Sequence, residues 1–257
     1  MRRTVPLLIV AALASGAAAD DGPLARGPTV LTIPTAWTQP RTSLTAALDG
    51  DHRGGSGARI TLGYARLVEI DLRGDGELTE CDPCAGVDRA VAPVRQPTAG
   101  WKLALSPWRD GAVAAGVRVP LGFRERARAS EAFVVVSQRL GPVRLHAGAS
   151  TWASAHRGAD GATITRAPQA GVRPLVGLEW TPEIYPRTTI LADLQWLPQL
   201  GPTAAETAPR WAFAWGVRYR ALAWSAVELG VRHRQDDELG GATVMVRLSA
   251  AWPRAAR

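Results

Sequence analysis

The sequence predicts an all-β chain folded as a transmembrane antiparallel up-and-down β-barrel of about twelve strands. Three observations point there: residues that alternate apolar and polar, runs long enough to cross a bilayer, and connections that alternate short and long. The first two are clearest between Arg210 and Arg234. One parity carries Trp211, Phe213, Trp215, Val217 and Tyr219, and the other Ala212, Ala214, Gly216, Arg218 and Arg220. After a tight link, Ala223, Ser225, Val227, Leu229 and Val231 alternate with Trp224, Ala226, Glu228, Gly230 and Arg232. A period of two marks a strand with one apolar and one polar face. Each run is about ten residues, beyond the usual 5–6 of a globular strand and matched to the 9–11 of a tilted membrane strand.

The N-terminus carries an export signal. Arg2 and Arg3 precede an apolar run from Val5 to Ala14, and Ala17-Ala18-Ala19 offers a small-residue cleavage site. Residues 1–19 are therefore expected to be a signal peptide, with the mature chain starting near Asp20. No later segment holds 18 uninterrupted apolar residues, so no transmembrane helix is expected. The charge of +7 falls to +5 once Arg2 and Arg3 leave. Lys102 is the sole lysine, and the bias to arginine with abundant Gly and Ala reflects a GC-rich genome. Basicity in an exported chain of this kind does not argue for nucleic acid, and no nucleic-acid partner is expected.

Taken in order, residues 20–40 are rich in Pro, Gly and Thr and are expected to form a periplasmic lead-in, with the barrel over 41–252. The first strand turns Thr42, Leu44, Ala46 and Leu48 outward against Arg41, Ser43, Thr45 and Asp49. The second turns out Ile60, Leu62 and Tyr64, and after a short link at Ala65-Arg66 the third turns out Val68, Ile70 and Leu72. Gly74 to Thr98 lacks an apolar pattern and reads as a long loop. It holds Cys81 and Cys84, whose spacing in an exported loop suits a local disulfide. Ala85 stands where a haem site needs His, and no further Cys exists to complete a structural zinc site.

The fourth strand sets Trp101, Leu103 and Leu105 against Lys102, Ala104 and Ser106, and Arg109-Asp110-Gly111 signals a tight hairpin. The fifth follows with Val113, Ala115, Val117 and Val119 outward. In the sixth, Phe133-Val134-Val135-Val136 hides the parity. Beyond Gly141-Pro142, the seventh turns out Val143, Leu145, Ala147 and Ala149, and a polar loop is expected from Ser154 to Gln169. The eighth has Val172, Pro174, Val176, Leu178 and Trp180 on one face, where Pro174 gives up a ladder hydrogen bond. Ile190, Ala192, Leu194 and Trp196 mark the ninth. The hairpin of Arg210 to Arg234 supplies the tenth and eleventh, and Val244, Val246, Leu248, Ala250 and Trp252 the twelfth.

Links after even-numbered strands are short, and those after odd-numbered strands are longer and more polar. Short periplasmic turns with longer extracellular loops on an even strand number describe an outer-membrane barrel, with outer-membrane lipid and lipopolysaccharide around it. Trp180, Trp196, Trp211, Trp215, Tyr219 and Trp252 are expected to form a lipid-facing aromatic girdle. The expected lumen-lining set is Arg59, Glu69, Asp71, Lys102, Arg118, Arg144, Arg173, Glu179, Asp193, Arg218, Glu228, Arg232 and Arg247. Such charges either filter permeants or pair across the lumen and plug it. No catalytic residue, metal site or cofactor is expected. A barrel hydrolase needs a clustered nucleophile or acid pair; His146 is followed by Ala147 and Gly148, and His233, Asp236 and Asp237 read as solvated loop residues.

Thr32-Ile33-Pro34-Thr35-Ala36, running into Ser43-Leu44-Thr45, resembles the opening of YjbH-like outer-membrane barrel proteins linked to exopolysaccharide export. The resemblance, which extends to short hairpins like Ile60 to Leu72, covers about 40 residues and implies a barrel assisting polysaccharide passage, with no catalytic residues to transfer. The expected function is a non-enzymatic outer-membrane pore or transport component for small polar solutes or polysaccharide. The alternatives are a plugged barrel that binds a partner through extracellular loops and, third, a barrel hydrolase.

Overall fold

In a computed structural model, the described residues are 29–38, 43–51, 56–81, 91–122, 127–157, 164–166, 170–201, 208–235 and 242–253. They form thirteen strands: β1 (Ser43–Asp51), β2 (Ser56–Tyr64), β3 (Val68–Cys81), β4 (Val91–Trp108), β5 (Gly111–Pro120), β6 (Ala127–Leu140), β7 (Val143–Arg157), β8 (Ile164–Arg166), β9 (Ala170–Trp180), β10 (Thr188–Leu200), β11 (Ala208–Leu222), β12 (Ser225–Arg234) and β13 (Thr243–Pro253). Twelve of them build one closed antiparallel wall. Each pairs with its neighbours in sequence, β7 pairs with β9, and β13 returns to β1 to close the ring. The thirteenth, β8, is a three-residue piece paired only with the end of β7, so the count of twelve holds for the barrel.

Burial is inverted relative to a water-soluble protein. Leu48, Ile60, Trp101, Trp215, Leu248 and Trp252 are exposed on the outside, whereas Arg59, Glu69, Lys102, Glu179 and Arg218 are buried within. The parities read from the sequence match this wall strand by strand, from Leu44 and Leu62 outward to Val246 and Leu248. For the undecided sixth strand the structure places Phe133 and Val135 inside and Val134 and Val136 outside. No helix among the described residues is long and apolar enough to cross a membrane, which leaves crossing by strands untouched.

The two ends of the barrel differ. At one end the strands are joined by short turns: β2 to β3, β4 to β5, β6 to β7, β9 to β10 and β11 to β12. Ala65, Arg66, Asp110 and Gly141 there have φ near +60°, the left-handed geometry that matches tight hairpins to sheet twist. Aromatic side chains collect at this turn end, where Tyr64, Trp108, Trp180, Tyr219, Trp224 and Trp252 are all exposed.

The loop end is more ordered than the sequence implies. β3 and β4 continue as a paired hairpin to Cys81 and Val91, with an irregularity between Asp75 and Leu78, so Gly74 to Thr98 is largely strand rather than loop. The expected loop at 154–169 likewise contains the end of β7 and all of β8. Apolar alternation is missing in both places because only the part of a strand that faces lipid must carry it.

β10 also behaves unexpectedly. It stays with β9 only from Trp180↔Ile190 to Val176↔Leu194, but with β11 as far as Gln199↔Ala208. Its last residues cross the mouth and pair in parallel with β3 on the opposite wall, Gln199↔Thr79 and Leu200↔Glu80. Pro174 lies just past the point where β9 loses β10, while its other edge faces Ala149. The proline is tolerated because one side of its strand has no ladder to break.

Candidate functional site: a charged lumen and the segment inside it

Alternation places every second residue inside, and register sets opposite charges side by side. Glu69 faces Lys102, Arg118 faces Glu131, Arg144 faces Glu179, Arg218 faces Glu228, and Arg247 faces both Glu228 and Asp49. Each of these pairs is an ion contact: Lys102–Glu69 at 3.0 Å, Arg118–Glu131 at 2.5 Å, Arg144–Glu179 at 3.1 Å, Arg218–Glu228 at 2.6 Å, Arg247–Glu228 at 3.0 Å, and Arg247 with Asp49. Arg218 also reaches across β10 to Glu179 at 3.4 Å. A charge chain thus runs along half the inner wall, from Asp49 through Arg247, Glu228, Arg218 and Glu179 to Arg144.

Of the residues expected to line the lumen, all but Arg144, Arg247 and Arg173 are buried there. Arg144 and Arg247 are half-buried in the charge chain. Arg173 shares the inward parity of Leu175 and Gly177 but is exposed near the loop end. Of the expected girdle, Trp180, Trp215, Tyr219 and Trp252 are exposed, and Trp196 and Trp211 are a half-buried cross-strand pair nearer the loop end. Cys81 ends β3, whereas Cys84, the signal peptide and the lead-in up to Pro28 lie outside the described residues, as do Asp236 and Asp237.

Residues 29–38 do not extend into the periplasm as the lead-in reading requires. They occupy the lumen. Val30, Ile33 and Ala36 are completely buried and Leu31 and Trp37 nearly so. The segment turns back on itself through a Thr29↔Pro34 bridge and a 3.1 Å bond from Val30 N–H to the Ile33 carbonyl. Its apolar side chains pack with inward-facing Ala104, Ala112, Ala114, Phe133, Val135, Leu175, Leu191 and Ala214. These wall residues are apolar because they meet this segment rather than water.

Its polar backbone is met by the wall in turn, as buried N–H and C=O groups require. The Asp193 carboxylate accepts the N–H groups of Leu31 at 2.9 Å, Thr32 at 2.7 Å and Ile33 at 3.3 Å, and the Thr32 hydroxyl at 2.7 Å. Arg218 donates to the Thr29 and Val30 carbonyls, Arg247 to that of Leu31, and Lys102 to those of Thr35 and Trp37. Arg144 stacks over Trp37 at 5.7 Å. A cavity of about 30 Å³ remains beside Thr29, Arg59, Arg218 and Glu228, room for about one water.

A pair absent from the sequence reading lies in the same seat. Ser137 on β6 faces His146 on β7, its Oγ 2.8 Å from Nδ1. Ser137 Oγ also accepts the Ala36 N–H at 2.8 Å, so its own proton is available to Nδ1. The imidazole stands edge-on to Trp37 at 5.4 Å, and its Nε2 has no hydrogen-bond partner among the described residues. Both side chains are sealed beneath the inner segment. The two lie on neighbouring strands, and it is the register of β6 against β7 that brings them together.

Nearer the loop end, Trp152, Leu197, Ala129 and Ala212 form a second apolar cluster, and the Trp152 indole donates to the Trp196 carbonyl at 3.1 Å. This cluster holds the crossing end of β10.

The chain matches no family model, and no curated protein matches it. Solved structures do. The NanC porin superimposes with a TM-score of 0.51 at 10% identity, covering 83% of this chain and 100% of that one. A membrane protein solved in a study of in-meso crystallization superimposes at 0.53 with 9% identity, covering 84% and 85%. The KdgM porin follows at 0.47, with 6% identity over 82% and 99%. The fold, a closed antiparallel barrel of twelve strands, is the one this chain shares with the NanC porin.

Proposed function

We propose that this chain is a non-enzymatic outer-membrane channel for small polar solutes, with its turn end and both termini on the periplasmic side. The observation that carries the reading is the inverted burial: large apolar side chains face outward around a closed wall, while paired charges face inward. Such a wall is stable only with hydrocarbon outside and polar contents inside. Lipid and lipopolysaccharide are its outer partners.

Polysaccharide is the finer reading. Of the residues that resemble YjbH-like proteins, Thr32 to Ala36 lie inside the barrel and Ser43 to Thr45 begin its wall, while the solved structures that share the fold include the NanC porin. A second reading is favoured by one observation. The inner segment and the crossing end of β10 together obstruct the lumen, which suits a closed barrel that binds a partner through the hairpin of 74–98.

Single-channel recording on the refolded chain starting at Asp20 tests the first reading. Discrete current steps are expected, and their ion preference reports on the lumen charges. Stable insertion without any steps, in the full chain and after removal of the inner segment, supports the closed barrel instead.

A further inference from the structure

Resting on the channel reading, we propose that residues 29–38 are a reversible plug, latched on Asp193, that closes the channel from within and leaves it towards the turn end. The segment contributes no strand to the wall. Wall strands are bound by continuous backbone ladders, whereas among the described residues this segment pairs with itself and is held by wall side chains. It can therefore leave without breaking the barrel. Only residues 39–42 separate it in sequence from Ser43, and Ser43 begins β1 at the turn end.

The wall is arranged to survive that departure. Arg218 and Arg247 keep Glu228, and Lys102 keeps Glu69, when the plug carbonyls are withdrawn. Asp193 differs: all four of its hydrogen bonds among the described residues come from Leu31, Thr32 and Ile33. Among the described residues it serves the plug and no wall cation, which makes it the latch. The seat is also shaped for the turn. A Cβ on Gly177 would stand 2.6 Å from Ile33 Cδ1 and 3.0 Å from Val30 Cγ2, so glycine there leaves the space those side chains fill.

The test is planar-bilayer recording on chains refolded from Asp20, with folding checked by heat-modifiable gel migration. In a Cys81→Ser, Cys84→Ser background, Thr32→Cys with Asp193→Cys puts two thiols on side chains that in the native chain are hydrogen-bonded, Thr32 Oγ1 to Asp193 Oδ1 at 2.7 Å. Oxidised, this chain is expected to stay closed; reduced, it loses both bridge and latch, and mean current rises several-fold. Equal currents in the two redox states overturn the plug. Gly177→Leu, which keeps Asp193 and every plug donor, is expected to raise the current relative to the native chain; an unchanged current counts against the proposal. A chain lacking 20–38 that folds and inserts yet never conducts overturns the channel reading and the plug with it. If instead the full chain conducts as well as that truncated one, the channel stands and the plug alone falls.

Discussion

Arg218 and Glu228 lie directly opposite one another on β11 and β12, with Arg218 Nε 2.6 Å from the carboxylate. Glu228 is also shared with Arg247 of the next strand, and Arg218 with Glu179 two strands away, so the pair is the middle of the lumen's charge chain. Removing one member of a buried ion pair leaves a charge without its partner, at a cost of about 3–5 kcal/mol.

Glu228→Gln is accordingly expected to lower the stability of the folded barrel by about 3 kcal/mol, the low end of that range, because Arg218 retains Glu179 and two carbonyls. The urea midpoint in lipid vesicles, followed by tryptophan fluorescence, should fall. An unchanged midpoint would mean that water already screens this wall.

The exterior predicts the opposite sensitivity. Leu248 is exposed and faces Leu48 across the closing seam. Leu248→Arg is expected to cost about 2–4 kcal/mol in bilayers, the penalty for a cation among acyl chains near the midplane. Val244→Arg, nearer the loop end of the same strand, should cost less. Equal costs at the two positions would contradict a belt graded by depth.

Tryptophan position gives a direct reading of inside and outside. Chains retaining only Trp101 or only Trp215 should be quenched by lipids brominated along the acyl chain. A chain retaining only Trp37 should not, because that indole is buried within the lumen. Strong quenching of Trp37 would place its segment outside the wall.

At the mouth, Leu197 is fully buried against Trp152 where β10 crosses. Leu197→Ala is expected to cost about 2 kcal/mol, the low end for a buried leucine, and to act locally. Limited proteolysis from the loop side should cut β10 beyond Leu194 faster, with the urea midpoint nearly unchanged. Unaltered cleavage would argue that the β3–β10 pairing alone holds the crossing.

The wall was legible in the sequence because lipid on one side and polar contents on the other impose a strict period of two. That requirement fixed Leu62 outside, Arg59 inside and the five short turns. It lapses in three places. Beyond the hydrocarbon, the extensions Gly74–Cys81 and Val91–Thr98 are free of it and resembled a loop. Within the lumen, Phe133 and Val135 belong to the same apolar cluster as Val30, Ile33 and Trp37, so that strand looked apolar on both faces. The inner segment has no period at all, being a tight turn whose hydrogen-bond partners on the wall lie from 30 to 216 residues away in sequence. A clue did exist: Leu175, Leu191, Val135 and Phe133 are apolar at positions where a water-filled lumen needs polar groups.

The seam between β1 and β13 joins residues far apart in sequence, among them Asp49 and Arg247, separated by 198 positions. Synthesis therefore delivers the contents of the barrel first and the strand that closes it last. Until β13 arrives, β1 and β12 each present an unpaired backbone edge, which hydrocarbon penalises by several kcal/mol per group. A chain cut short before Thr243 has no resting place in the bilayer. Closure of the whole wall thus waits on the eleven residues of β13.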